Sequence, residues 1–564
     1  MKLIKNIFVF AVASLFIQGC SDRMDYNEFT EYNKEQVFSS FDRARQFVTN
    51  IYSMMENGLQ GYDNGATLAS ACDEAVCAWE ESNVNYFFNG AWSSLKPLTS
   101  AWNDSYWAIR ACNFYLENCN YYTFPDYKYN KDYLEQMERY NRYQYEVRFL
   151  RAYFYFNLVR TYGDVPLITE TLTDKEANSV YRTSSEEVFS FIVDECDKIM
   201  DKLPDDYNQV TYIETGRITS LTVAALKARA LMYAASPLFY KGDNVKEAWH
   251  NAAKANKDVI QKSAKLGVIF GAYTDLWGES NFTASEVIYA RRLGNSNSFE
   301  YNNYPMGIEG GKSGNCPSQT LVDAYRMKSN GKLWNEQGSG YNEAKPYEGR
   351  DSRFEATVAY NGMTGWPAYN TNELQTYEGG SNGLPLIGAT PTGYYLKKYC
   401  DKTVDLRPSK VNQKFHSWVI YRLGEFYLNY AECVYNYFDN PDQKNAELPL
   451  SAVDAVNYIR VRVNMPELST GLGKSFVDIY RNERMVELAF EGHRFWDVRR
   501  WKIGDTQKKV DVMKISKTAT GFTYKRETIQ RNWDDKMYFF PLPDAEIRRN
   551  SNLVQNAGWT IENK

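Results

Sequence analysis

Three segments of the chain repeat apolar residues with the period of an amphipathic helix. Apolar positions recur at i, i+3 and i+4, and a small Ala or Gly in each segment leaves room for close approach of another helix. The segments are RFLRAYFYFNLVRTYG (148–163), LKARALMYAASPLFY (226–240) and YRLGEFYLNYAECVY (421–435). Each pattern predicts an α-helix with one face buried.

A second amphipathic stretch follows each of these segments after a loop. The second stretches cover residues 184–203, 244–263 and 450–464, and Ser184 or Ser185 is placed to cap the first of them. Helix, turn and helix at intervals near the ~34-residue tetratricopeptide unit predict a mostly α fold, built as a tetratricopeptide-like helical-repeat scaffold. The repeat consensus is degenerate, and the three units are not contiguous.

The pattern changes between the second and third units. Residues 271–415 carry many Gly, Asn and Pro residues and little helical periodicity, which predicts a loop-rich insertion. Its Trp, Tyr and apolar content is unlike that of a disordered segment, so we expect the ligand-binding region here. The chain therefore divides into a signal peptide (1–19), an N-terminal helical part with an aromatic cluster (20–270), this insertion, and C-terminal helices (416–564).

The N-terminus carries an export signal. Lys2 and Lys5 precede a short apolar run at 7–17, which is too short to span a bilayer as a mature helix. The run ends in FIQGC, which resembles the lipobox of bacterial lipoproteins and predicts a lipid anchor on Cys20. An ordinary secreted protein with an incidental Cys20 is the alternative. The polar segment SDRMDYNEF that follows resembles the tethers of surface-exported lipoproteins.

Composition narrows the classes of ligand. With 65 Lys and Arg against 70 Asp and Glu, the net charge is −5, which makes nucleic acid a poor partner. Only 3 His accompany 9 Cys, and no Cys spacing matches a zinc motif, so no metal or cofactor is predicted; a structural calcium site is not readable from the sequence. The eight cysteines beyond Cys20 are either disulfides or buried thiols. Aromatic residues reach 16% of the chain, many of them in polar stretches, which favours a ligand that stacks on rings.

Two segments concentrate aromatic and charged residues. The first, DEAVCAWEESNVNYFFNGAW (73–92), is a candidate ligand surface, although each of its rings is equally well explained as core. The second, DIYRNERMVELAFEGHRFWDVRRW (478–501), predicts one long amphipathic helix in which Glu483, Glu487 and Glu491 stack. Five arginines in this segment should keep the three carboxylates ionised, so a glycosidase pair is disfavoured. We interpret the segment as an Arg/Glu network with Trp496 and Trp501 packed beneath it.

The same segment resembles the C-terminal signature of the RagB/SusD family of nutrient-uptake lipoproteins. Further agreement lies in RFLRAYFYFNLVRTYGDVPL, ALKARALMYAASPLF, CPSQTLVDAYRM, YRLGEFYLNYAE, YFFPLPDAEIRRN and the lipobox. The resemblance implies a surface-exposed outer-membrane lipoprotein without enzymatic activity. It would bind a glycan and pass it to a SusC-like TonB-dependent transporter. Binding of a peptide or glycopeptide in a similar uptake complex is the alternative.

The resemblance also implies ligand-contacting residues. The DEAVCAW stretch places Trp79 at the position of a family platform tryptophan, whereas Cys77 stands where the starch-binding member has a second tryptophan. The family's other ligand loop precedes PSQTLVDAY, and the aromatic pair in TGYYLKKY is a weaker candidate. The predicted ligand-binding residues are Asp73, Trp79, Asn83, Asn315, Cys316 and Tyr395. No catalytic residue is predicted, because no nucleophile or metal motif is found at a recognisable spacing.

Overall fold

A computed structural model describes residues 34–59, 65–119, 123–207, 210 and 214–560. The predicted signal peptide and Cys20 lie outside these residues. The fold is mostly helical, as the sequence predicts. The helices are α1 (Lys34–Phe38), α2 (Phe41–Ser53), α3 (Ala101–Asn118), α4 (Tyr133–Tyr162), α5 (Asp174–Ala177), α6 (Ser185–Ile199), α7 (Ser220–Ala235), α8 (Val245–Lys265), α9 (Ser298–Asn303), α10 (Gln319–Ala324), α11 (Ser352–Thr357), α12 (Leu423–Phe438), α13 (Ala452–Arg462), α14 (Phe476–Glu487), α15 (His493–Arg500) and α16 (Asp544–Arg549).

The three predicted helix pairs are present as α4 with α6, α7 with α8, and α12 with α13. Side-chain caps explain where the helices begin. Ser184 caps α6 in a capping box with Glu187, and Ser451 caps α13 in the same way with Asp454. Helix α4 starts well before residue 148, because Tyr140, Tyr143 and neighbouring residues extend its buried face toward the N-terminus.

Four antiparallel two-stranded sheets connect the helical parts in the described residues. Strand β1 (Ala75–Cys77) pairs with β3 (Asn315–Pro317), so the N-terminal aromatic cluster lies against the 271–415 region. The remaining pairs are β2 (Val287–Ser296) with β6 (Lys414–Arg422), β4 (Val358–Ala359) with β5 (Tyr395–Leu396), and β7 (Lys509–Thr518) with β8 (Gly521–Gln530). In residues 271–415 the helices and most strands are short, and turns separate them.

The signature segment forms two helices, so the prediction of one long helix is wrong. Helix α14 ends at Glu487 and α15 begins at His493, because Phe490 (φ +61°) and Gly492 (φ +77°) adopt left-handed backbone between them. Both Trp496 and Trp501 are buried, as the sequence predicts.

The predicted Arg/Glu network exists and reaches beyond the segment. Arg422 on β6 donates to Glu286, Glu487 and Glu491 over 2.6 to 2.7 Å, and Arg353 donates to Glu487 over 2.8 Å. Burial alone would raise the pKa of Glu487, but the surrounding guanidinium groups lower it well below its usual value. The network therefore fastens α14 and the break that follows it onto β6 and the 271–415 region.

The eight cysteines beyond Cys20 are free and buried, which decides between the two alternatives in favour of thiols. Within the described ranges, no helix combines the length and the apolar character needed to cross a membrane.

Candidate functional site

The pairing of β1 with β3 brings Trp79 next to the loop that precedes β3. The backbone N–H of Ala78 donates to the carbonyl of Gly314 over 2.9 Å, which continues the sheet by one residue. The indole N–H of Trp79 donates to the carbonyl of Lys312 over 2.8 Å. The Trp79 ring is half-buried, so it is anchored at its nitrogen and still accessible to solvent.

One edge of the Trp79 ring lies against a glycine. A Cβ atom on Gly388 would lie 2.7 Å from the indole carbon Cη2 and 2.8 Å from the terminal methyl of Met306. Gly388 also has a φ of +78°, a conformation that side-chain-bearing residues rarely adopt. Only glycine therefore allows the 384–388 turn to approach the ring this closely.

Exposed side chains of mixed chemistry lie on or beside the segments that contact the ring. The Lys312 ammonium lies 4.6 Å from the centre of the Tyr301 ring, and Tyr301 is 41% exposed. Ile387, beside Gly388, is 84% exposed. We name Trp79, Tyr301, Met306, Lys312 and Ile387 the Trp79 surface. It offers two aromatic rings, an aliphatic side chain and a cationic hydrogen-bond donor.

The turn after Trp79 adds polar groups beside this surface. The side-chain amide of Asn85 donates to the carbonyls of Trp79 and Glu80, each over 2.9 Å, and so holds the turn in place. Asn83 opens the short 3-10 helix Asn83–Phe87 and is exposed, as are Glu80 and Glu81. Of the six predicted ligand contacts, Trp79 and Asn83 thus lie at the surface.

Asp73, which the resemblance implies as a ligand contact, is buried in the structure. Its side chain is 2% exposed, and Arg494 donates to its two carboxylate oxygens over 2.8 and 2.6 Å. Burial opposes ionisation, yet the Arg494 guanidinium lowers the pKa of Asp73 below its usual value. Asp73 therefore joins β1 to α15 and does not face a ligand.

Asn315, also implied as a ligand contact, has a structural role in this fold. It is fully buried, and its amide oxygen accepts from the backbone N–H of Thr67 over 2.8 Å and from the hydroxyl of Ser70 over 2.8 Å. Its amide nitrogen donates to the carbonyl of Gly65 and to the side-chain oxygen of Asn303. These bonds hold residues 65–70 against β3.

Cys316 and Tyr395, the remaining two implied ligand contacts, are buried as well. Burial raises the pKa of the Cys316 thiol well above its usual value, and the side chain is 0% exposed. The Tyr395 hydroxyl donates to the carbonyl of Asn382 over 2.6 Å and accepts from the N–H of Thr390. Tyr395 therefore holds the two ends of the 384–388 turn together, and Cys316 is a buried residue of β3.

Four residues of the Trp79 surface, Tyr301, Met306, Lys312 and Ile387, were not predicted from the sequence. Tyr301 lies on α9, Met306 and Lys312 come from the segment between α9 and β3, and Ile387 comes from a Gly- and Pro-rich turn. Tyr301 and Ile387 are each an isolated large apolar residue in a polar stretch, and no periodic pattern assigns them to a core. This isolation is the sequence signal that could have identified them.

Comparison with known proteins relates two large parts of the chain to SusD-like families. A family model described as the SusD family matches residues 282–559, and a model described as starch-binding associating with outer membrane matches residues 25–232. The SusD-like protein P25 of Formosa agariphila is 22% identical over 534 residues, which are 88% of this chain and 89% of that protein.

Solved structures share the fold. A SusD-like protein from Bacteroides fragilis superposes with a TM-score of 0.73 at 26% identity, covering 94% of this chain and 99% of that one. A SusD-like carbohydrate-binding protein from the same organism superposes with a TM-score of 0.74 at 22% identity, covering 92% of this chain and all of that one.

Proposed function

Because this chain belongs to the SusD family, we propose that it is a surface-exposed outer-membrane lipoprotein that binds a glycan. It delivers the glycan to a SusC-like TonB-dependent transporter for import. The observation that carries the glycan ligand is the Trp79 surface, where an anchored and accessible indole lies beside exposed polar side chains.

The chemistry of the Trp79 surface suits a sugar ring. Pyranose and furanose rings present C–H faces that pack on an indole or a phenol, while their hydroxyl groups need hydrogen-bond partners. Trp79 and Tyr301 supply the rings, and Lys312 and Glu80 supply a donor and an acceptor in the same neighbourhood, whereas Asn83 lines a separate cleft. The similar B. fragilis protein described as carbohydrate-binding is consistent with this ligand class.

The surface favours binding and release over chemistry. The Trp79 surface is open, and the carboxylates of Glu80 and Glu81 beside it are exposed to solvent. An affinity of roughly micromolar to millimolar Kd is expected, because stacking and a few exposed hydrogen bonds must offset the ordering of a flexible oligosaccharide. Such an affinity suits a protein that hands its ligand to a transporter.

Lipidation of Cys20 accounts for membrane attachment in this proposal. An acyl chain on the new N-terminus anchors a chain that otherwise folds outside the bilayer. The polar residues that follow Cys20 then act as a tether between the lipid and α1.

Affinity electrophoresis in gels that contain one polysaccharide each tests the proposed ligand class. We expect at least one polysaccharide to retard the protein, and Trp79→Ala to run at the same mobility with and without that polysaccharide. Tyr129→Ala is the matched control, because Tyr129 is 93% exposed and lies outside the Trp79 surface. Binding of peptides with no retardation by any polysaccharide would replace the glycan with a peptide ligand.

A further inference from the structure

A cleft of about 780 Å³, separate from the Trp79 surface, lies in the helical part of the molecule. It is bounded by residues 53–58 at the end of α2, by the start of α3, by α4 and by the break between α14 and α15. Its volume is typical of small-ligand sites, which span roughly 300 to 1,000 Å³. None of the five residues of the Trp79 surface lines it.

Trp107 forms the rim of this cleft. The residue lies on α3, whose buried face is formed by Trp102, Ala108, Ile109 and Cys112. Trp107 points away from that face and is 74% exposed, so its ring contributes little to the core. An indole this exposed at the mouth of a cleft offers a flat apolar face to a ligand.

The floor of the cleft carries buried polar atoms. Trp496 is 6% exposed, and within the described ranges its indole N–H has no hydrogen-bond acceptor. The Nε of Arg160 and the amide oxygen of Asn157 are likewise buried without a partner in the described part of the chain. All three residues line the cleft. The same three residues also line a separate cavity of about 30 Å³, which has room for about one water molecule, so these buried atoms do not by themselves indicate a ligand in the cleft.

Five charged residues line the cleft, and the two acidic side chains, Glu56 and Asp104, nearly balance the three basic ones, Lys96, Arg160 and Arg291. Arg160 donates to the Glu56 carboxylate over 2.6 Å, and its guanidinium carbon lies 4.6 Å from the centre of the Trp496 ring. Arg291 donates to the backbone carbonyls of Met55 and Ser53. A neutral ligand therefore fits the cleft better than a strongly charged one.

We propose that this cleft is a second saccharide-binding site, which takes a neutral hexose unit with its ring stacked on Trp107. A hydroxyl group both donates and accepts, so it can bond the polar side chains that line the cleft, such as Asn57, Lys96 and Asp104. The ligand class is that of the proposed function, but the site rests on different residues and is tested separately. Two sites on one chain hold a long glycan more tightly than either site alone.

Fluorine NMR of the protein labelled with 5-fluorotryptophan tests this site. Single Trp→Phe variants at 79, 107 and 496 assign three signals. The probes are maltohexaose, cellohexaose and laminarihexaose, with pentaalanine as the peptide arm. We expect one hexasaccharide to shift the Trp107 and Trp496 signals with a common midpoint, and to shift them equally in Trp79→Ala.

A second variant measures the contribution of the rim. Trp107→Ala should weaken binding, read at the Trp496 signal, by about tenfold, which corresponds to about 1.4 kcal/mol. Tyr129→Ala should leave the midpoint unchanged, because its ring is 93% exposed and does not line the cleft.

The outcomes separate the two sites. Hexasaccharides that shift only the Trp79 signal support the proposed function and overturn the second site. Shifts of Trp107 and Trp496 without any change at Trp79 support the second site and contradict the Trp79 surface. A cavity of about 30 Å³ behind the floor has room for about one water molecule. If water alone bonds the buried polar atoms of the floor, no hexasaccharide shifts the Trp107 signal, and the second site is overturned. If pentaalanine shifts the Trp107 signal and no hexasaccharide does, the cleft binds peptide and the saccharide site is overturned.

Discussion

The indole N–H of Trp79 donates to the backbone carbonyl of Lys312 over 2.8 Å, although 233 residues separate them in the chain. The β1–β3 pairing makes this contact possible, because it aligns Ala75–Cys77 with Asn315–Pro317. The proposed ligand surface is therefore assembled from an N-terminal turn and the distant 271–415 region.

Asp73→Asn should destabilise the protein without removing a ligand contact. The change leaves the buried Arg494 guanidinium without its carboxylate partner, and breaking such a pair costs about 3 to 5 kcal/mol in the free energy of unfolding. Chemical denaturation of Asp73→Asn, Arg494→Met and the double variant measures this cost. The double variant should lose less free energy of unfolding than the two single variants lose together. An Asp73→Asn protein that unfolds like wild type but loses glycan would restore Asp73 to the ligand site.

Much of the fold can be predicted from the sequence, because a strong apolar period predicts an amphipathic helix without any knowledge of its neighbours. The pairs α4 with α6, α7 with α8 and α12 with α13 follow from local pattern and capping residues such as Ser184 and Ser451. The break between α14 and α15 is missed, since Phe490 in left-handed backbone has no local sequence signature.

The site is less predictable for a physical reason. The motif DEAVCAW marks the right neighbourhood, but Asp73 is buried against Arg494 whereas the Trp79 ring reaches solvent. Asn315 was expected in a ligand loop, yet its amide is used to hold residues 65–70. Burial depends on long-range strand pairing, which a single sequence does not display.

Glu74 should make the stability of the protein depend on pH. Burial, and then the neighbouring Asp73 carboxylate, raise its pKa from 4.5 to about 8 in the folded state. The folded state therefore keeps a proton that the unfolded state releases, and this contribution is fully present below pH ~4.5 and is lost as the pH rises through ~8. Its upper limit is roughly 4 to 5 kcal/mol, at about 1.4 kcal/mol per pKa unit.

Glu74→Gln removes this titration. Thermal unfolding from pH 5 to 8 should show the variant gaining stability over wild type as the pH rises. Glu80→Gln, a change of the same kind at an exposed position, should follow the wild-type curve. Parallel curves for Glu74→Gln and wild type across this range would show that Glu74 is ionised in the folded protein.

Trp496→Ala should lower the free energy of unfolding by about 3 to 5 kcal/mol, since it empties a buried site. The ring centre lies 4.9 Å from that of Phe495, and the Arg160 guanidinium lies over the ring. Trp107→Ala is the matched control; its ring is 74% exposed, so its loss should change stability by no more than about 0.5 kcal/mol. Equal unfolding midpoints for Trp496→Ala and wild type would contradict a core role for this ring.

Cys20→Ala should release the protein from the outer membrane. The proposal gives the mature chain one hydrophobic tether, the acyl group on Cys20, so the variant should lose its membrane attachment. Fractionation of cells that express wild type or Cys20→Ala measures this, and Cys72→Ala, at a buried thiol, is the matched control. Unchanged membrane association of Cys20→Ala would contradict the lipid anchor.

Isothermal titration of wild type and Trp79→Ala with the oligosaccharide of the polysaccharide that retards the protein tests the central claim most directly. We predict a Kd of roughly micromolar to millimolar for wild type and no measurable binding for Trp79→Ala. Because the ring is half-buried and its N–H is bonded to Lys312, a loss of about 1 to 2 kcal/mol in stability should accompany the change and leave the protein folded. Equal affinity of the folded Trp79→Ala variant and wild type would contradict the account.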